Sequence, residues 1–135
     1  MSHTCSAALI RCMDFRLTKD IHNWLEAQGL MNDCDMISVA GVAKDIVENK
    51  DNSFVLNQIV LSVKLHQIKK VILLHHLDCG AYGGHAGFTD LAQELAKHQS
   101  EMQTAAASIK EKFPQLEVVM AIVSDSANGW EIKML

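Results

Sequence analysis

Proline is almost missing from this chain: Pro114 is the only one, and no proline-rich linker, internal repeat or low-complexity stretch divides the sequence. Basic blocks are missing too. Lys plus Arg number 12 against 16 Asp plus Glu, a net charge of −4, which argues against nucleic acid or an anionic membrane surface as the partner. No long hydrophobic run exists. The longest, Val118 to Val123, falls far short of the roughly 20 residues that span a bilayer. The N-terminus lacks the charged-then-apolar pattern of a secretory signal, so a cytoplasmic location is expected. Cysteines are few. Cys5, Cys12, Cys34 and Cys79 are spaced too widely and unevenly for a small secreted disulfide framework. What remains is an ordinary globular balance, 49% hydrophobic and 21% charged over 135 residues. That is enough for a real core, and residues 1–135 are read as a single domain.

Strand and helix patterns alternate along it. Ala7–Ile10, Met36–Val39, Val71–Leu74 and Leu116–Val123 are short apolar runs that read as buried strands. Between them lie helical patterns. Thr18 stands as the N-cap of a helix burying Ile21, Trp24 and Leu25, stopped at Gly29. Ser53 stands as the cap of a broadly apolar helix through Val63. Thr89 stands as the cap of a long helix with Leu91, Leu95, Met102, Ala106, Ile109 and Phe113 on one stripe, ended by Pro114. Asn128-Gly129 is a hairpin-turn pair that would send Trp130-Glu131-Ile132 back along the edge. The expected fold is α/β and three-layered. Its sheet is mainly parallel, in the order 2-1-3-4 plus an antiparallel edge strand, with helices on both faces. Ligands of such sheets sit beyond the carboxyl ends of the strands where the order reverses, here between the first and third strands.

Two polar clusters follow those two strands: Cys12-Met13-Asp14-Phe15-Arg16 and His75-His76-Leu77-Asp78-Cys79-Gly80. Two thiolates and an imidazole from Cys12, His76 and Cys79 would make a three-ligand zinc set with one position left over, the catalytic arrangement. Each thiol alone reads equally as a small buried hydrophobe. Asp14 and Arg16 suit a carboxylate fixed by a guanidinium fork. Such a carboxylate beside a metal can orient a water or close the fourth position; away from one it is a strand-end salt bridge. A cysteine-phosphatase reading fails, because only three residues separate Cys12 from Arg16 and Asp14 would repel a phosphate. Cys5 and Cys34 read as ordinary thiols. His75 alternates to the sheet face opposite His76 and reads as a buried, hydrogen-bonded histidine. The glycine-rich segment from Gly80 to Gly87 lacks phosphate-loop spacing and reads as a close turn around the cluster, with His85 a plain loop residue or, as the lesser alternative, a proton shuttle.

Cys-x-Asp-x-Arg followed some sixty residues later by His-x-x-Cys-Gly resembles the β-class carbonic anhydrases, in particular the small bacterial members. Ser124-Asp125-Ser126-Ala127-Asn128-Gly129 resembles the turn before that family's last strand. The resemblance implies Cys12, His76 and Cys79 as ligands of Zn2+ and Asp14 with Arg16 as a catalytic dyad. It implies hydration of carbon dioxide to bicarbonate and a proton through zinc-bound hydroxide, in a homodimer or dimer of dimers. Two features depart from the family pattern. Ser38-Val39-Ala40-Gly41 stands where Arg-Asn-Ala-Gly is usual, and the first strand begins without the usual N-terminal helical arm. Hydrolysis of carbonyl sulfide or carbon disulfide at the same zinc site, or a non-catalytic zinc-stabilised binding domain, are the competing readings.

Overall fold

The computed structural model of the chain describes residues 3–126 and 129–135, without the side chains at 125, 126 and 129. Strand β1 (Ala7–Arg11) is buried at every position, as a strand covered on both faces must be. A 3₁₀ turn (Phe15–Leu17) leads into α1 (Thr18–Ala27). β2 (Cys34–Ser38) and a short α2 (Ala43–Glu48) follow, then α3 (Phe54–His66) and β3 (Lys70–His76). Two 3₁₀ turns (Gly80–Tyr82 and His85–Gly87) precede α4 (Leu91–Lys112). β4 (Glu117–Ser126) and β5 (Gly129–Met134) close the chain.

The five strands form one sheet in the order β2-β1-β3-β4-β5. β1 is parallel to both β2 and β3, β3 is parallel to β4, and β5 runs antiparallel on the edge. The path from β1 to β2 moves one way across the sheet, while the paths to β3 and β4 move the other way. Right-handed crossovers therefore place α1 on one face and α3 and α4 on the other. The expected order and the antiparallel edge strand are both present. Ser126 pairs with Gly129 across the hairpin; Ala127 and Asn128, part of the expected turn, lie outside the described residues. Among those residues no helix is long and apolar enough to cross a membrane.

Local chemistry explains most of the boundaries. Gly29 takes φ 71° at the end of α1. Leu30 N–H reaches Leu25 O at 2.8 Å and Gly29 N–H reaches Glu26 O at 3.0 Å, the paired bonds of a Schellman stop. Ser53 does cap α3, its hydroxyl accepting from Leu56 N–H at 3.0 Å. The other two expected caps are corrected. Thr18 is the first residue of α1 rather than its cap; Leu17 holds the cap position without a side-chain bond, and Asp14 caps the preceding 3₁₀ turn, its carboxylate accepting from Arg16 N–H. α4 is capped by Asp90, not Thr89, with the carboxylate accepting from Gln93 N–H at 2.8 Å.

The long helix also departs from its expected face. Its buried residues are Glu94, His98, Met102, Ala105 and Ile109, while Leu91 is exposed. The first two turns of α4 thus turn a polar face inward, toward the end of the sheet where β1 and β3 stop. The short α2 was not expected at all. It enters through Val42, a buried residue at φ 49°, ψ −91°, a conformation that costs a β-branched side chain about 1–3 kcal/mol and persists only where its surroundings enforce it.

Candidate metal centre

Cys12 leaves the end of β1, His76 ends β3, and Cys79 follows one tight turn later. All three are buried, and their Sγ and ring nitrogen atoms lie within 4.8 Å of one another. The two sulfurs are 4.0 Å apart. Tetrahedral zinc with Zn–S bonds near 2.3 Å holds two thiolates about 3.8 Å apart, so the pair needs almost no movement to share an ion. The histidine supplies the stronger test. His76 Nδ1 lies 2.8 Å from Leu77 O and must donate its proton there, which leaves the lone pair on Nε2. That Nε2 is buried and has no hydrogen-bond partner among the described residues. An unpaired buried nitrogen costs about 1–3 kcal/mol, and here it faces two thiols. The donor set, its burial and this orphaned nitrogen fit a zinc ion. The Cys12 thiol is pulled well below its usual range chiefly by the hydrogen bond from the Cys79 thiol, and Cys79 is pushed up by its ionised neighbour and by burial.

Beside the cluster, Asp14 Oδ2 stands 3.9 Å from His76 Nε2. Arg16 holds this carboxylate from three directions: Nη2 to Oδ2 at 2.7 Å, Nε to both oxygens at 3.1 Å, and its own backbone N–H to Oδ1 at 2.9 Å. The guanidinium lowers the Asp14 carboxyl to about 2. It is therefore ionised at every working pH and can only accept hydrogen bonds. Arg16 is anchored in turn. Nη1 bonds Asp78 Oδ2 at 3.1 Å, Nη2 bonds Asp78 O at 3.0 Å, and the guanidinium lies 5.4 Å from the Trp130 ring centroid. A concavity of about 710 Å³ opens over these residues, its far wall made by Ala40, Ala81 and the glycines at 83 and 84.

A family model described as "Putative carbonic anhydrase" matches residues 2–135. The chain belongs to the carbonic anhydrase family. Its fold is that of the β-carbonic anhydrases. A tetrameric β-carbonic anhydrase from Sordaria macrospora superposes with a TM-score of 0.63 at 17% identity, over 100% of this chain and 82% of that one. A β-carbonic anhydrase of Aspergillus fumigatus gives 0.58 at 14% identity, over 97% of this chain and 89% of that one. At that identity the likeness is one of fold alone. Two uncharacterized proteins are nearer in sequence. One from Rickettsia conorii is 33% identical over 84% of this chain and 64% of its own length. One from Rickettsia bellii is 34% identical over 84% of this chain and 73% of its own length.

The fold thus brings together Cys12, Asp14, Arg16, His76 and Cys79, and leaves Cys34 apart from them. His75 lies, as expected, on the opposite face. Its Nε2 accepts from Ala43 N–H at 3.1 Å, and its Nδ1 lies 2.8 Å from His98 Nδ1. Burial lowers both histidines, His98 to about 4, so a neutral His75 can donate from Nδ1 while accepting at Nε2. This carbonic anhydrase relative also carries supports that sequence reasoning missed. Arg11, almost fully buried at the end of β1, donates from Nε to Cys12 O at 2.7 Å and from Nη2 to Asp14 O at 3.0 Å, bracing the loop that carries both side chains. Glu94, 1% exposed, accepts from Asp78 N–H at 2.7 Å and pairs with His85 Nδ1 at 2.6 Å. Asp78 is left-handed at φ 59° and accepts from His85 N–H at 2.9 Å. Gly84 sits at φ 66°, ψ −167°, a conformation essentially confined to glycine, and its missing Cβ leaves room for Asp78 Oδ1. A charged residue on an amphipathic helix ordinarily signals the solvent face. Nothing in the local pattern marked Glu94 as the exception.

A larger groove of about 750 Å³ lies elsewhere, between the start of α4 and β5, and is lined mainly by Phe88, Leu91, Leu95, Ile122, Met134 and Leu135. Its polar lining, Asp90, Lys133 and the His85–Glu94 pair among others, brings no thiol, and the cluster above is the better candidate for chemistry despite the smaller cavity.

Proposed function

We propose that this protein is a zinc-dependent carbonic anhydrase interconverting carbon dioxide and bicarbonate, with Cys12, His76 and Cys79 holding the ion and Asp14 with Arg16 completing the site. The observation that carries this reading is the orphaned His76 Nε2, buried against two thiols and beside a carboxylate that is locked in its ionised form. Family membership supplies the substrate class. When bound, zinc supplies the Lewis acidity that makes water a nucleophile at mildly alkaline pH; two thiolates cancel its charge, so the effect is weaker than in a three-histidine site.

The chain's own residues do the rest. Asp14 Oδ2 accepts a hydrogen bond from the attacking water and aims its lone pair at carbon dioxide. With its carboxyl at about 2, Asp14 orients this water and does not store the proton. Arg16 fixes the carboxylate so that the geometry is preformed and costs no reorganisation during reaction. Cys12 and the small side chains Ala40 and Ala81 line a wall suited to a linear apolar substrate. The proton released as bicarbonate forms passes to buffer through the open mouth.

Stopped-flow hydration at pH 8–9, on protein of measured zinc content, tests this. Rapid hydration that tracks zinc is expected. A full metal site with no carbon dioxide turnover, and hydrogen sulfide released from carbonyl sulfide or carbon disulfide instead, would transfer the assignment to the sulfur substrates.

The same reading includes self-association. Phe15 and Met13, 85% and 65% exposed, project at the rim of the site, and the groove at β5 presents Leu91, Met134 and Leu135. Two such separate apolar surfaces suit a homodimer or a dimer of dimers, and the Sordaria relative is a tetramer. Sedimentation velocity at micromolar concentration should show an even-numbered oligomer, reduced in mass by Phe15→Asp; a monomeric wild type refutes it.

A further inference from the structure

At the opposite end of the sheet a second set of metal-type donors converges. Cys5 lies just before β1, Asp35 is the second residue of β2, and His66 is the last residue of α3. One donor atom from each lies within 4.8 Å of the others. With β1 extending between them at about 3.3 Å per residue, Cys5 and Cys12 stand on the order of 20 Å apart, so this cluster is separate from the site described above. Sequence reasoning read Cys5 as an ordinary thiol, because neither Asp35 nor His66 is near it in the chain.

The fold holds these three residues firmly. Cys5 N–H donates to His66 O at 3.0 Å, tying the segment ahead of β1 to the last turn of α3. Asp35 is paired with Ala8 in the parallel ladder. Its Oδ2 accepts from Ser62 Oγ at 2.6 Å, the kind of outer contact that fixes a ligating carboxylate. His66 Nδ1 lies 3.0 Å from Asp35 Oδ1 and 2.7 Å from Oδ2. All three side chains are half-buried, so the cluster is both shielded and reachable.

We propose that Cys5, Asp35 and His66 form a second divalent-metal site, for a borderline-soft ion of the zinc class, with a coordination position open to solvent. A thiolate, an imidazole and a carboxylate are a recognised tetrahedral donor set, and ligand atoms on zinc stand about 3.2–3.8 Å apart. The 3.0 Å spacing of His66 Nδ1 and Asp35 Oδ1 is close to that. Asp35 Oδ1 can therefore ligate while Oδ2 keeps the Ser62 hydroxyl. Binding moves protons in a definite way. Cys5 gives its thiol proton to solvent, and His66 shifts its remaining proton to Nε2 so that the Nδ1 lone pair faces the ion. The ion would staple three chain segments, the one preceding β1, β2 and the end of α3, without touching the proposed catalytic residues.

Zinc is the probe. Wild type, Cys5→Ser and His66→Ala are dialysed against buffered micromolar zinc and their bound metal is counted by mass spectrometry. Each variant should hold one equivalent less than wild type, with carbon dioxide hydration unchanged. Because the readout is a difference, it stands whatever the Cys12 cluster holds. In parallel, alkylation of Cys5 is followed by peptide mapping. Zinc should slow it by about tenfold or more in wild type, since a coordinated thiolate is a poor nucleophile toward alkylating agents, and should not slow it in His66→Ala. Equal metal counts in all three proteins, or a Cys5 alkylation rate indifferent to zinc, overturns the proposal and leaves a hydrogen-bonded His66–Asp35 pair with a free thiol beside it.

Discussion

Cys79→Ser is expected to lose one equivalent of zinc and to hydrate carbon dioxide about a thousandfold or more slowly than wild type, the scale of a metal's contribution to charge stabilisation in the transition state. The substitution changes one buried atom. Serine nearly matches cysteine in shape, and Cys79 is only 2% exposed, so the fold should survive with at most a small fall in Tm. The hydroxyl cannot ionise near neutrality, and a two-ligand remnant of Cys12 and His76 would no longer hold the ion. His76 Nε2 would stay orphaned. Stopped-flow hydration, metal analysis and a thermal melt, made on one preparation, separate loss of metal from loss of fold. Wild-type hydration by a folded Cys79→Ser protein whose Cys12 cluster carries no metal would remove the basis of the proposed function.

The ease of locating that cluster follows from the physics of parallel sheets. β1 and β3 must be apolar on both faces, so Ala7–Ile10 and Val71–Leu74 stand out as runs without periodicity. Their carboxyl ends are then fixed by where the polar residues begin. Alternation within β3 was enough to send His75 and His76 to opposite faces. Supports that act through the backbone were not legible. Arg11 reads as a strand residue, and only the fold shows its guanidinium gripping the carbonyls of Cys12 and Asp14. α2 spans six residues, less than two turns, so it carries no measurable period. On α4 the apolar stripe was read correctly at Met102 and Ile109. It fails at Leu91, which is exposed, because the helix turns Glu94 to Asp78 N–H and His98 to His75. An unmet polar group at the buried loop would cost more than an exposed leucine. The Cys5–Asp35–His66 cluster was invisible for a related reason: its members meet only once β1 and β2 are paired and α3 is docked.

Asp14→Asn is expected to keep both zinc and fold and to lower kcat/KM for hydration by about a hundredfold to a thousandfold, the usual cost of losing one preorganised electrostatic contact at the reacting centre. The amide matches the carboxylate in size but brings a donor where Arg16 already supplies donors, so the side chain must flip or withdraw. Arg16→Gln should be milder, about tenfold to a hundredfold. It removes the fork that lowers Asp14 to about 2; the carboxyl then returns toward its ordinary value near 3.9. The charge survives at neutral pH and only the aim is lost. The sign of the pH effect follows. A carboxyl lowered in the folded state adds stability above its unfolded pKa and loses that contribution as pH falls through about 4 toward about 2. Between pH 7 and 9 neither protein titrates Asp14, so wild type and Arg16→Gln should give pH–rate curves of the same shape, displaced in height. Because the two residues act as one unit, the double variant should be no slower than Asp14→Asn alone. Independent, multiplying losses, or a curve whose midpoint moves in Arg16→Gln, would show that Arg16 acts on the nucleophile by some route other than holding Asp14.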